Sequence, residues 1–420
     1  MACTLLLINK FYHDRGPSGG VGRYILQEEE DLTAAGWRVV PFAMADADAR
    51  PSRWQASFVK ARDYSQPRWS ATVTADALAL IWNREAARKL DKLIRAARPD
   101  VAHLHNIYHH LSPSILPVLT RHRVPVLMTL HDLRLLCPAI HMLRNGQVCE
   151  RCRGGHFHEA VRGRCVKGSR AASLLAAIET WHQRRRQLYE RCVTRFICPS
   201  DFYLRKYAEW GYPRARLTHL PNFVDLEKWR PQDREPEAAY LYFGRISAEK
   251  GLATLLQAQA AWEAQAAPGT VPVLRIAGTG PWQEQLLEMA RQLRLKRFEY
   301  LGPLAVPALQ QTLARSRFTV IPSQWYENAP MALLESLAAG RPVVGADIGG
   351  IPELISPGEN GLLFPPGDVP RLLTSLQQAL ALPPESRQRA RATAEQKGSR
   401  SLHMARLQRI LLDLQPGPRS

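Results

Sequence analysis

The sequence predicts an α/β fold of two doubly wound, Rossmann-like domains facing each other across a cleft. Three observations point there. Apolar runs of strand length alternate with longer stretches of helical periodicity along nearly the whole chain, which is the sequence form of βαβ units and a parallel sheet. The alternation stops once, between Pro221 and Ala238, where PNFVDLEKWRPQDREPEA is rich in proline and charge and reads as an interdomain linker. Finally, 420 residues are enough for two domains that each bury a core of their own.

Taken in order, TLLLIN (4–9) is a strand leading into a glycine-rich turn, and VGRYILQEEEDLTAAGW (21–37) is a helix ending at Gly36. WRVVPFA, DVAHLH (100–105), VPVLMTLHD (124–132) and RFICPS (195–200) are further strands with helical stretches among them. Beyond the linker, AYLYFGR, VPVLRIAG, FEYLG, FTVIPS and PVVGAD repeat the plan. Residues 1–222 thus form a first domain with a cysteine-bearing insert at about 137–168, 223–380 form a second, and 381–420 are a helical segment. In such sheets ligands sit beyond the carboxyl ends of the strands. Nearly every chemically suggestive residue of this chain falls at such a place.

A composition of 45% hydrophobic and 22% charged residues excludes a disordered or fibrous chain. MACTLLLINK has no basic stretch before its apolar run, and no run is long enough to span a bilayer. The expected location is cytoplasmic, peripheral at most to the inner face of the cell membrane. The net charge of +18, from 56 Lys and Arg against 38 Asp and Glu, favours an anionic partner: nucleic acid, an acidic membrane surface or a phosphorylated substrate. A merely solvated basic surface fits the same excess, and no nucleic-acid-binding motif accompanies it.

The most informative stretch is SQWYENAPMALLE (323–335). Glu327 follows a strand ending at Ser323, Asn328 and Pro330 suit a helix start, and Glu335 lies about two turns into that helix. Were the whole span helical, the two carboxylates would stand about 12 Å apart, beyond the roughly 5–9.5 Å of a glycosidase pair. They suit better the two ends of one elongated ligand, with the free N–H groups of the helix start between them for a phosphate. A helix with one buried and one capping glutamate is the plain structural alternative.

The string continues as ESLAAGRPVVGADIGGIPELI and GENGLLF, and in that context it resembles the donor-binding half of glycosyltransferase family 4, whose members are retaining enzymes of GT-B architecture. The resemblance implies transfer of a sugar with retained anomeric configuration, by same-face displacement assisted by the leaving phosphate. The expected donor is a UDP- or GDP-sugar and the expected acceptor a glycan or a polyprenyl-phosphate-linked chain; no cofactor is required. It further implies that Glu335 holds the nucleotide ribose, that Glu327 faces hydroxyls of the donor sugar, and that amides around Asn328, Ala329, Met331 and Ala332 approach the diphosphate. The family commonly has Gly-Phe-Gly after the first glutamate, where this chain has Asn328-Ala329-Pro330, and Pro330 has no amide to offer.

YLYFGRISAEKGL (240–252) puts Arg245 and Lys250 on a loop at a strand end, a fork and a mobile point charge suited to a pyrophosphate. There they would stabilise charge growing on a leaving diphosphate, and the family's G-R-x4-K-G pattern implies the same. Gly278 in AGTGP and Gly302 after FEYL are expected in the wall of the nucleotide pocket or as plain turns. Gly19 and Gly20 of GPSGGVGRY lie between a strand and a helix, where backbone without Cβ approaches a ligand closely. The resemblance puts this loop near donor and acceptor. It also implies that His131, near the end of VPVLMTLHD, sits beside the transferred sugar, as a hydrogen-bonding or charge-stabilising group and not as a nucleophile. Asp46-Ala47-Asp48 has the form of a metal-binding DxD, but in its alanine-rich loop it is expected to be plain surface.

Four of the seven cysteines, Cys137, Cys149, Cys152 and Cys165, share one insert with the spacing C-x11-C-x2-C-x12-C. In a reducing compartment this is a candidate structural Zn²⁺ site, with His141, His156 and His158 as spare ligands; four free thiols are the alternative. SRAASLLAAIETWHQRRRQLYERC (169–192) reads as one basic amphipathic helix, fit for an anionic membrane surface or for packing on the first sheet. The resemblance implies that the terminal helix returns to the first domain. Two other functions stay open at this level: a sugar-nucleotide epimerase on the same plan, and a non-enzymatic basic protein that binds nucleic acid or membrane.

Overall fold

A computed structural model describes residues 3–13, 19–61, 79–267 and 269–415. Twelve strands form two six-stranded parallel sheets, one from each half of the chain. The first holds β1 (Thr4–Ile8), β2 (Arg38–Phe42), β3 (Val101–Leu104), β4 (Val126–Thr129), β5 (Arg195–Cys198) and β6 (Leu217–His219), in the spatial order β6-β5-β4-β3-β1-β2. The second holds β7 (Ala239–Phe243), β8 (Val273–Ala277), β9 (Phe298–Gly302), β10 (Thr319–Ile321), β11 (Val343–Ala346) and β12 (Gly361–Phe364), in the order β9-β8-β7-β10-β11-β12. The doubly wound α/β plan expected from the alternation is the one observed. β1 and β7 are buried along their whole length, which is why they read as unbroken apolar runs and not as alternating ones.

Each sheet reverses its direction of growth once, between β1 and β3 and between β7 and β10. At such a switch point adjacent loops leave in opposite directions and open a crevice beyond the strand ends. The loops carrying Arg245, Lys250, Ser323 and Glu327 follow β7 and β10, so the second crevice lies among them.

Six helices matter below: α1 (Gly19–Ala34), α2 (Arg170–Arg185), α3 (Asp201–Glu209), α4 (Met331–Ala338), α5 (Glu385–Lys397) and α6 (Arg400–Asp413). The basic stretch 169–192 is not the single helix its pattern suggests. Gln187 adopts a left-handed φ of 51° that ends α2, and a short separate helix covers Leu188–Cys192. The segment after residue 380 also divides. α5 stays on the second lobe, where Ala390 and Ala394 are fully buried and Arg391 binds the carbonyls of Leu226 and Ala338, both at 2.9 Å. Only α6 packs on the first lobe, burying Met404, Leu407, Ile410 and Leu411 with Leu5, Leu32 and Trp37.

The chain therefore crosses between lobes twice, near Val224 and near Ser399, and the crossings touch. Val224 N–H donates to the Gly398 carbonyl at 2.9 Å, and Val224 bridges Ser399 in parallel. The lobes also meet at the start of α3, where Ser200 accepts the Tyr203 N–H at 3.2 Å. From the second lobe, the Glu353 carboxylate accepts the N–H groups of Asp201 and Phe202, at 2.9 and 2.7 Å. These are donors that a helix start otherwise leaves unpaired, at its positive end.

Glu353→Ala should therefore cost about 1 kcal/mol, the usual scale of a lost cap, and lower the melting temperature by roughly 2 °C for a chain of this size. It should also loosen the contact between the lobes, read as a larger radius of gyration in solution scattering. An unchanged radius would mean that the contact is held elsewhere.

Candidate active site

The wall on the second lobe is built from the turn between β10 and α4. Pro330 is the N-cap of α4 in an extended conformation, with φ −63° and ψ 127°, so residues 327–330 are loop and the helix starts later than expected. Two glycines hold that loop. A Cβ on Gly349 would lie 2.2 Å from the Glu327 carbonyl oxygen, and one on Gly350 would lie 1.8 Å from that of Asn328. Gly350 N–H donates to the Glu327 carbonyl at 2.9 Å. Only backbone without a side chain can come so near.

Glu327, 5% exposed, turns its carboxylate inward. Its Oε1 accepts from Lys250 Nζ and from Ser323 Oγ, both at 2.6 Å. Lys250 Nζ also lies 5.1 Å from the centre of the Trp325 ring, a cation–π distance. Burial alone would push the Glu327 carboxyl up. The Lys250 charge and the hydrogen bonds from Lys250 and Ser323 outweigh it and hold the group below the usual carboxylate range. Arg245, on the same loop as Lys250, is exposed.

Glu335, also 5% exposed, lies in α4 and meets the first lobe, where Arg23 Nη1 of α1 stands 3.4 Å from its Oε1. Burial pushes its carboxyl up to about 7, and the charges of Arg23 and Lys228 offset this only in part. Gly20 faces the other end of α4: a Cβ there would sit 3.7 Å from Met331 Cγ, an ordinary contact. Protein packing therefore does not itself require glycine at this place. Gly19 begins α1, and Gly16, Pro17 and Ser18 of the same motif lie outside the described residues. α4 has no side-chain cap, so Met331 and Ala332 carry first-turn amides of the kind that a helix leaves without intrahelical partners.

Asn328 and Ala329 make contacts that the sequence did not reveal. Asn328 Nδ2 donates to the Leu130 carbonyl and its Oδ1 accepts from Ser200 Oγ, each at 3.0 Å. The Ala329 carbonyl accepts from Asn222 Nδ2 at 3.0 Å. These side-chain bonds join the lobes. Gly278, with φ 137°, has a reason of its own in backbone packing: a Cβ would lie 1.9 Å from the Gly244 carbonyl oxygen. Gly302 ends β9, and its carbonyl accepts the Gly278 N–H at 2.8 Å.

The wall on the first lobe is a file of histidines. His105 Nδ1 is 2.8 Å from His131 Nε2. His103 Nδ1 is 2.5 Å from Glu28 Oε1 of α1, and its Nε2 is 2.8 Å from Thr129 Oγ1. Glu28, His103 and His105 are fully buried. Burial pushes His131 down to about 3, with the His103 charge adding to the effect, and holds His105 well below its ordinary value. Both rings are neutral near pH 7. His105 Nε2 lies 3.7 Å from Glu28 Oε2, beyond hydrogen-bond distance. The bond between His105 and His131 engages Nε2 of His131 and leaves its Nδ1 available to a ligand hydroxyl, as donor or acceptor according to the tautomer. The pattern H-x-H at the end of DVAHLH was visible in the sequence, but nothing local showed that Glu28 completes it.

The cysteines of the insert are all free. Among the described residues, the one set of three or more His, Cys, Asp or Glu ligand atoms within 4.8 Å of one another is Glu28, His103 and His105. The fold gathers the four cysteines, for Cys137, Cys149 and Cys165 all act electrostatically on Cys152, although no three of their sulfurs lie within 4.8 Å of one another. Cys137 and Cys152 belong to the apolar core of the first lobe, and burial pushes both thiols up, Cys152 to about 12. His141, a spare ligand by spacing, instead packs edge-on against Trp325 with ring centres 4.8 Å apart. Glu150 reaches Tyr326 Oη at 2.8 Å. The insert thus touches the loop after β10 at two points. His156 and His158 are exposed. Asp46 accepts the Asp48 N–H at 3.0 Å, closing a local turn.

The family model described as Glycosyltransferase Family 4 matches residues 18–228, which is 211 of the 420 residues. The chain belongs to glycosyltransferase family 4. A second model, Glycosyl transferases group 1, matches residues 224–397. Over 393 residues this glycosyltransferase is 27% identical to a glycogen synthase of Mycobacterium tuberculosis, covering 90% of this chain and 86% of that one. Over 174 residues it is 32% identical to sulfoquinovosyl transferase SQD2 of Arabidopsis thaliana, covering 37% and 32%. Sucrose-phosphate synthase from Thermosynechococcus elongatus shares the fold with a TM-score of 0.70 at 18% identity, covering 98% and 99% of the two chains. HepE from Anabaena does so with a TM-score of 0.66 at 17% identity, covering 98% and 100%. The two-lobed architecture is that of the GT-B glycosyltransferases.

Lys250→Met would leave Glu327 buried without its countercharge and should cost about 3 kcal/mol or more in urea unfolding. Adding Glu327→Gln should return most of that loss. If the double variant is no more stable than the single one, the pair is not what secures this loop.

Proposed function

We propose that this family 4 glycosyltransferase moves a sugar from a UDP- or GDP-sugar, with retained anomeric configuration, to a glycan or polyprenyl-phosphate-linked acceptor in polysaccharide or glycolipid synthesis on the cytoplasmic side of the membrane. The observation that carries the reading is the Lys250–Glu327 pair at the switch point of the second sheet, with Glu335 farther along the same helix–loop unit. HepE, of the same fold, has been solved with UDP and with UDP-glucose, which supports a nucleotide-sugar donor here.

In this reading Glu335 accepts from the ribose hydroxyls, and Arg245 and Lys250 bind the diphosphate together with the first-turn amides of Met331 and Ala332. Gly278 and Gly302 border the nucleotide. The Lys250 ammonium has three N–H donors, so it can reach a phosphate oxygen without releasing Glu327. Glu327 accepts from hydroxyls of the donor sugar, and Gly19 and Gly20 let the phosphates approach α1. As the bond from anomeric carbon to phosphate oxygen breaks, both cations stabilise the charge left on the diphosphate. The acceptor hydroxyl attacks on the same face and gives its proton to the departing phosphate oxygen. His131, pushed down to about 3, is too weak a base for that proton; its Nδ1 hydrogen-bonds a sugar hydroxyl instead.

Arg245→Ala and Glu335→Ala should each weaken UDP or GDP binding about tenfold or more, the worth of a hydrogen bond to a charged group. Glu327→Ala should reduce transfer more than nucleotide affinity. Unchanged nucleotide affinity in the first two variants would sink the site assignment. NMR of the product reads the anomeric configuration, and conversion of the donor sugar to its epimer with no acceptor present would overturn transfer.

The raised Glu335 adds a pH signature. Its ionised form is the better acceptor for hydroxyls, so the KM for the nucleotide sugar should fall as pH rises through about 7, and Glu335→Gln should flatten that profile. Ligand-free stability should run the other way. The folded carboxyl titrates above its ordinary 4.5, so between the two values the unfolded chain binds fewer protons and stability declines with rising pH.

A further inference from the structure

α2 is packed inside out. The face it turns to the protein carries Ser173, Ala176, Ala177, Glu179, Thr180 and Gln183, all buried. Its outward face carries Leu174, Ile178 and Trp181, which are 50%, 43% and 56% exposed. Their spacing of four and three residues sets them in one line along the helix. Among the described residues only six large hydrophobic side chains are exposed, and these are three of them.

The inner face explains the inversion. Glu179 pairs with the buried Arg134 and with His109 Nδ1, the latter at 3.3 Å, and accepts from Gln183 Nε2 at 3.0 Å. A polar network fixes which side of α2 faces the core, and the apolar stripe is left in water. A stripe of this kind on a single-copy surface needs a partner.

Charge says which partner. From Arg162 to Arg191 the chain has eight Lys or Arg and two acids. Both acids are occupied within the protein, Glu179 as above and Glu190 by Arg184 at 2.5 Å. Lys167 and Arg170 stand exposed before the stripe, and Arg185 and Arg186 after it. A second copy docked by the same face would set these cations against each other. An anionic bilayer answers both features: the aliphatic and indole groups enter the interface, where tryptophan is favoured, and the cations meet headgroup phosphates. No helix among the described residues is long and apolar enough to cross a membrane, so attachment by this face would be peripheral.

We propose that α2 is a membrane-docking helix, seating Leu174, Ile178 and Trp181 in the interface of an anionic bilayer while Lys167, Arg170, Arg185 and Arg186 bind its phosphates. The proposal gives the membrane side of the reading above a definite surface, and it holds whichever acceptor is used. Through Glu179 the docked helix grips Arg134, whose N–H donates to Asp132, the neighbour of His131, at 2.9 Å.

The test is co-sedimentation of the full chain with vesicles of phosphatidylcholine alone and of phosphatidylcholine mixed with phosphatidylglycerol. The expected result is binding to the mixed vesicles only, weakened by salt. It should fall about tenfold or more in a Leu174→Ser/Ile178→Ser/Trp181→Ser variant, since each lost apolar anchor reduces interfacial partitioning. These side chains are exposed, so the variant should keep its circular dichroism and its affinity for UDP or GDP, which separates a failure of docking from a failure of the donor site. A blue shift of emission on vesicle addition that disappears in Trp181→Phe would place the indole in the lipid. Equal vesicle binding by the triple variant would overturn the proposal. So would a parent chain that ignores anionic vesicles but sediments as a dimer that the triple variant abolishes, which would make the stripe a contact between copies.

Discussion

Glu327 is a carboxylate taken almost wholly out of water, and much of the second lobe's inner surface is arranged to make that tolerable. An uncompensated charge at such a place costs several kcal/mol. Lys250 supplies the countercharge and Ser323 a hydrogen bond, so the loops after β7 and β10 are tied together at the point where the sheet opens. The glycine pair Gly349-Gly350 closes on the same loop from behind. Asn328, one residue on, then reaches Leu130 and Ser200 on the other lobe. One buried charge thus fixes a cation, a loop and a lobe contact at once.

The first lobe presents the opposite electrostatic character. Burial keeps His105 and His131 neutral, and His131 is held too weakly basic to take part in proton transfer near neutrality. A cleft with fixed cations on one wall and a neutral hydrogen-bonding ring on the other is suited to stabilising charge in place, and poorly suited to moving protons through side chains. The division of labour follows from burial as much as from residue identity.

Much of this was legible in the chain. The strand runs, the break at the linker, and Arg245, Lys250, Glu327 and Glu335 at strand ends or helix starts all depend on local pattern, which a sequence displays. What escaped depends on distance. Arg23 meets Glu335, and Glu28 meets His103, across 312 and 75 residues, and no periodicity records such pairings. The cysteines lie between these cases: spacing marks the four of the insert as a set, but not that Cys137 and Cys152 are buried in the core. In α2 the apolar stripe was plain in the sequence, but its side was decided by the buried pairing of Glu179 with Arg134. The cross-lobe contacts of Asn328 and His141 appear only when both lobes are in view.

The adjoining crossings at Val224 and Ser399 carry a mechanical meaning. Two lobes linked by a single strand could swivel about any axis. Two strands bonded side by side behave like the pin of a door and leave one easy rotation. Any rotation about that pin would have to part Glu353 from α3, Asn328 from Ser200 and Arg23 from Glu335 together.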